Sequence, residues 1–195
     1  LNGSVSEEGI LTAYEQASRF LGDWATPHGS EYGNTPAAKL FNNCVYAYCL
    51  DIFIKAADAL GKTEDVQIYS ERLEALRANV HKHFFNEDSK TYIDGRQLAL
   101  AFPLYTGITP DREKAAVFAN FVEEITVRKP YLDTGSSGLP ILLKYIIEDA
   151  ERADLLYPSL IRTEQPSYGY FLKQGETAWP EYWSVAGHAS RIHTC

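Results

Sequence analysis

Between about residues 36 and 60, apolar side chains recur three and four positions apart at Leu40, Cys44, Val45, Tyr48, Ile52, Phe53, Ala56 and Leu60, which predicts one long helix. Its apolar surface is unusually wide. Gly61 suits the residue that closes such a helix, and Thr63 would cap the next one, whose stripe of Val66, Tyr69, Leu73, Leu76 and Val80 occupies one face. A helix apolar on most sides followed by a one-sided helix predicts an inner helix backed by an outer one. Downstream the pattern returns in looser form. FFNEDSKTYIDG, with turn residues between short aromatic stretches, predicts a small hairpin, and residues 97–105 predict a short buried helix. Thr109 and Pro110 would open an amphipathic helix running to about Val127, with Val117, Phe121, Val122 and Ile125 on its buried side. Residues 139–150 and 151–157 add an apolar helix and a shorter one.

Sustained β alternation is absent, and no self-similarity recurs at the period of roughly 34 to 47 residues that helical solenoids show. The expectation is an all-α fold of inner and outer helices in one domain over residues 1–195. Longer polar or glycine-rich loops at 25–35 and 133–138 fall where one end of such an assembly would open, and function usually sits on such loops.

Composition narrows the partners. Of 195 residues 45% are hydrophobic and 23% charged, enough to bury one sizeable core. A formal net charge of −8 argues against nucleic acid or an anionic membrane, either of which would bind against the chain's own field. No apolar run long enough to span a bilayer and no basic flank followed by an apolar stretch is visible, so the chain reads as water-soluble with its compartment open. Cys44, Cys49 and Cys195 form neither a metal pattern nor an even disulfide framework, and buried free thiols are expected. His81 and His83, with Glu74 and Glu87, lack the spacing of a metal-binding helix, and the helix carboxy terminus suffices to favour them there. No metal and no cofactor is predicted. His28 and Glu31 read as solvated loop residues.

The most informative stretch is residues 167–193, SYGYFLKQGETAWPEYWSVAGHASRIH. It gathers Tyr168, Tyr170, Phe171, Trp179, Tyr182 and Trp183 with Glu176, Glu181 and two histidines, in a pattern too irregular for one amphipathic helix. Aromatic faces can cover the C–H patches of a sugar ring while carboxylate and imidazole groups bind hydroxyls or move protons. An aromatic core strip with solvated acids would have the same composition.

The order of several motifs separates these readings. GETAWPEYW followed by SRIH is similar to a segment of the α-L-rhamnosidases of glycoside hydrolase family 78, with Gly175, Thr177, Glu181, Trp183, Ser190 and His193 on matching positions. Gly22, Asp23 and Trp24 resemble that family's Gly-Asp-Trp element, and residues 57–62, LDTGSSG at 132–138 and PSYGY at 166–170 resemble further elements in order. Pro180 stands where the family has a tryptophan, Trp179 is displaced by one, and Tyr168 replaces another tryptophan.

The resemblance implies part of an (α/α)6 toroid of the six-hairpin glycosidase type, hydrolysing terminal α-L-rhamnosyl linkages with inversion. It implies Glu181 as the general base, His193 as a sugar-binding group, and Trp24 and Trp183 as pocket walls. Asp23 stands evenly between binding a sugar hydroxyl or cation and capping a turn. In the family the general acid lies well before the Gly-Asp-Trp element, and the 21 residues preceding Gly22 hold no acid-rich cluster. The chain by itself is therefore expected to be inactive and to self-associate through an uncovered toroid face. Other toroid glycosidases, polysaccharide lyases and a non-catalytic carbohydrate-binding helical domain stay open as alternatives.

Overall fold

The computed structural model describes residues 5–13 and 19–184. Helix α1 (Pro36–Ala59) starts where Thr35, in extended backbone, accepts the Ala38 N–H on its hydroxyl and Pro36 takes the first helical position. It ends at Gly61, whose φ of +67° permits the closing turn: Gly61 N–H donates to Asp58 C=O and Lys62 N–H to Ala57 C=O. Helix α2 (Thr63–Phe84) follows at once. Thr63 is thus the first helical residue and not the cap, because Lys62, the last of the three linking residues 60–62, takes the cap position.

The hairpin is present as β1 (Phe85–Asn86) and β2 (Thr91–Tyr92), antiparallel, with Phe85 opposite Tyr92. Asn86 Oδ1 holds the turn by accepting the Asp88 and Ser89 N–H groups. Helix α3 (Gln97–Tyr105) is almost wholly buried. Helix α4 (Asp111–Glu123) continues through a π turn at Glu124–Arg128, and α5 (Leu139–Lys144) through another at Tyr145–Asp149. A 3₁₀ turn (Ala153–Leu156), α6 (Tyr157–Ile161) and α7 (Tyr168–Lys173) complete the described helices. Aromatic crowding masked α7 in the sequence; Ser167 caps it by accepting the Tyr170 N–H.

Packing separates two layers. Helix α1 lies against α2 and α3, and α3 against α4 and α5, so α1, α3 and α5 form an inner row with α2 and α4 outside. The core runs between them through Leu40, Cys44, Leu73, Val80, Leu100, Phe121 and Ile146. Val117, Phe121 and Ile125 of α4 are fully buried, as their spacing predicts, while Val122 is only partly covered.

Three expectations need correction. Thr109 does not cap α4: its hydroxyl accepts from the Tyr92 hydroxyl in the core, and the helix opens with Asp111 and Glu113 complementing its amino-terminal dipole. Cys49 is exposed although Cys44 is buried, since five residues rotate a side chain well round the helix; burial pushes the Cys44 thiol up. His81 is a core group and not a dipole partner. Its Nδ1 lies 2.8 Å from the Tyr92 hydroxyl, its ring stacks on Phe85, and burial lowers its pKa. Among the described residues no helix is long and apolar enough to cross a membrane.

Candidate active site

The Gly22-Asp23-Trp24 segment lies between residues 20 and 33, a loop pinned to itself by paired backbone bonds: Gly22 N–H donates to Glu31 C=O and Glu31 N–H to Asp23 C=O. From this frame Asp23 reaches across to the glycine-rich loop at 133–138. One oxygen accepts the Gly135 N–H at 2.8 Å and the other the Gly138 N–H at 2.7 Å. Of the two roles open to Asp23, the turn-holding one is what the geometry displays. Its carboxylate receives the last amides before α5, where helix N–H groups lack intrahelical partners. Burial raises its pKa to about 6, against the lowering effect of those two N–H groups.

Trp24 extends the same connection. Its carbonyl accepts the Ser136 N–H at 2.7 Å, and a Cβ on Gly135 would overlap that carbonyl oxygen, so glycine is required for the close approach. The indole then points towards the segment after α7, where its Nε1–H donates to Glu181 Oε1 at 2.7 Å. Two residues on, Trp183 is buried, stacks on Phe171 at 14° between planes, and donates its Nε1–H to Thr134 C=O at 2.6 Å. The resemblance made Trp183 a pocket wall; most of its surface is core, and one edge faces a cleft.

That cleft, about 300 Å³, is lined by Gly135, Ser136, Tyr168, Trp179, Glu181 and Tyr182 together with Leu139, Phe171, Pro180 and Trp183. Glu181 is the single acid among the described residues that line it. Trp179 leans on Tyr168 with ring centroids 4.6 Å apart and stays 40% exposed, which leaves an aromatic face open to the cleft mouth.

A second cleft of about 480 Å³ lies on the other side of the 133–136 segment, bordered by Asp23, Glu31, Asp94, Arg96 and Asp133 over an apolar floor from α1 and α3. Here His28 stays exposed, as the solvated reading has it, yet it and the partly buried Glu31 both make tertiary contacts. His28 Nε2 pairs with the buried Asp133 at 2.8 Å, and Glu31 accepts from Arg96 Nη2 at 3.0 Å, fastening the 25–35 loop to the start of α3. Asp133 also takes Lys129 Nζ at 2.6 Å, and its N–H donates to Gln97 Oε1. Asp133 and Arg96 escaped the sequence reading because each looks like an ordinary loop charge until the fold brings four segments together. No group of three or more metal-ligating side chains occurs among the described residues. Asp23, Trp24, Glu181 and Trp183 are thus brought to one junction, whereas His193 lies outside the described residues.

Known proteins place this arrangement. The family model of the bacterial alpha-L-rhamnosidase 6 hairpin glycosidase domain matches residues 5–195. An α-L-rhamnosidase of Alteromonas sp. (strain LOR) is 29% identical over 176 residues, which cover 84% of this chain and 18% of that protein. An α-L-rhamnosidase of Formosa agariphila is 25% identical over 165 residues, covering 83% of this chain and 18% of that protein. The chain therefore spans about a fifth of the length of the curated relatives it matches. In three dimensions it resembles the α-L-rhamnosidase of Dictyoglumus thermophilum, with a TM-score of 0.81 at 24% identity over 94% of this chain and 20% of the other. It also resembles the Streptomyces avermitilis α-L-rhamnosidase solved with L-rhamnose, with a TM-score of 0.79 at 23% identity over 96% of this chain and 18% of the other. The chain belongs to the family of bacterial α-L-rhamnosidase six-hairpin glycosidase domains, and its inner and outer helices are part of an (α/α) toroid.

Proposed function

We propose that this chain forms part of an inverting α-L-rhamnosidase and supplies its general base, Glu181. The observation that carries this reading is the placement of Glu181 as the one acid among the described residues lining an aromatic cleft, with its carboxylate held by an indole N–H. In the reaction a water gives a proton to the Glu181 carboxylate while its oxygen bonds to the anomeric carbon from the face opposite the leaving group. The glycosidic C–O bond breaks, and the departing oxygen takes a proton from a second carboxyl group. Room for that water requires the two carboxyl groups to stand roughly 6.5–9.5 Å apart, and the second is expected from the remaining length of the protein. Tyr168 and Trp179 offer apolar faces to a sugar ring, and Trp24 and Trp183 close the wall behind Glu181. His193 is assigned to hydroxyl binding on the resemblance of its motif.

The test is Glu181→Gln in the full-length protein, assayed on an aryl α-L-rhamnoside. Turnover should fall by roughly 10²–10⁴-fold, the usual share of a general base, with sugar binding retained. Turnover near that of the unaltered protein removes Glu181 from the role. A product absorbing in the near ultraviolet, as an unsaturated sugar does, would indicate a lyase instead.

A further inference from the structure

We infer that Trp24 is a positioning residue for Glu181, aiming its carboxylate through the indole N–H, and is more than the wall of a sugar pocket. This rests on the proposal that Glu181 is the general base. Three observations support it.

First, Glu181 sits between α7 and the end of the described chain in a stretch of bends with no helix or strand to fix its direction. A carboxylate that must present one oxygen to a water needs its plane held by something else. The Trp24 Nε1–H meets Oε1 at 2.7 Å, a length typical of hydrogen bonds to charged acceptors. Second, the donor stands on a rigid base. Trp24 C=O accepts from both Ser136 N–H and Ser136 Oγ, at 2.7 and 3.3 Å, and the neighbouring Asp23 fastens Gly135 and Gly138. Ala25, next in the chain, is fully buried at a φ of 64°, a left-handed conformation uncommon for a residue with a side chain, and its N–H is taken by Ser30 Oγ at 3.0 Å. Strain held at this point sets the backbone direction from which the indole departs. Third, the acceptor's segment is tied to the same loop. Trp183 donates to Thr134 C=O, and Gln165 Nε2–H donates to Trp183 C=O at 2.6 Å. The donor, through its own carbonyl, and the acceptor's segment, through Trp183, are thus both registered against residues 134–136.

The chemical consequence concerns how the base meets its water: an N–H aimed at one oxygen restricts the rotation of the carboxylate, so removing the donor should let that oxygen face its water less often.

The experiment replaces Trp24 in the full-length protein in two ways: by phenylalanine, and by 3-benzothienylalanine, which keeps the bicyclic shape but carries sulfur in place of N–H. Glu181→Gln is measured alongside. For both Trp24 replacements kcat should fall about tenfold, with KM little changed. The sulfur analogue keeps the test valid if the phenylalanine variant folds poorly, because its packing is preserved. A rise in KM with kcat unmoved would make Trp24 a wall and overturn the inference, leaving the base assignment intact provided Glu181→Gln is inactive. Near-normal turnover of Glu181→Gln removes both.

Discussion

Asp23 shows how one buried carboxylate can hold two loops together. It joins the Gly-Asp-Trp segment to the glycine-rich loop through Gly135 and Gly138, at the cost of burying a charge, and burial raises its pKa to about 6 from an unfolded value of 3.8. Since the folded value is the higher, the folded state holds the proton more tightly. The contribution of Asp23 to stability is therefore fully present below about pH 4 and lost as pH rises through about 6. In unfolding measurements on the full-length protein, stability relative to Asp23→Asn should fall by about 2 kcal/mol between pH 4 and pH 7. A difference that stays flat or grows with pH would contradict the burial argument. The same residue marks a limit of sequence reading: its neighbours suggested either a ligand or a cap, and the amides its carboxylate accepts stand 112 and 115 residues away, where no local pattern points.

At the scale of elements, the helices were legible because their cause is local. Periodicity marked α1, α2, α3 and the buried face of α4, and the Gly61 closure followed from the need for a left-handed residue. The errors at Thr63 and Thr109 have one source, since a threonine before an apolar stripe looks the same whether its hydroxyl caps a helix or bonds elsewhere. The loop at 133–138 is different in kind. Its glycines fit close approach by Trp24 and Asp23, which no neighbouring residue announces. Gly135→Ala in the full-length protein should therefore cost about 1–3 kcal/mol of stability, the usual penalty for forced overpacking, and should also reduce kcat by disturbing the Trp24 carbonyl contact. Thermal unfolding with parallel kinetics checks it; an alanine variant as stable and active as the original would mean that the loop can yield.

For the whole molecule, the first helix of the inner row carries apolar surface that the other described residues do not cover. On α1, Ile52, Phe53 and Leu60 are 48%, 45% and 73% exposed, although the helix packs on α2 and α3. At roughly 25 cal/mol per Å² of apolar surface, several hundred Å² left in water forfeits on the order of 10 kcal/mol, comparable to the net stability of a domain. The 195-residue chain expressed alone should therefore elute above its monomer mass or bind a hydrophobic dye, as measured by light scattering and fluorescence. A dye-silent monomer would show that the exposed face needs no partner.

What the sequence determined by itself was the helical class, the succession of inner and outer helices, and the motif order by which the family was recognised. These depend on residues a few positions apart, where periodicity, caps and turn residues act directly. Tertiary structure alone decided how the motifs divide the work: that Asp23 holds a loop, that His28 and Glu31 are fastened by Asp133 and Arg96, and that the Trp24 indole meets Glu181 across 157 residues of chain. Such pairings arise because hydrogen-bonding groups taken out of water must find partners wherever packing brings them, and sequence separation places no constraint on where that is.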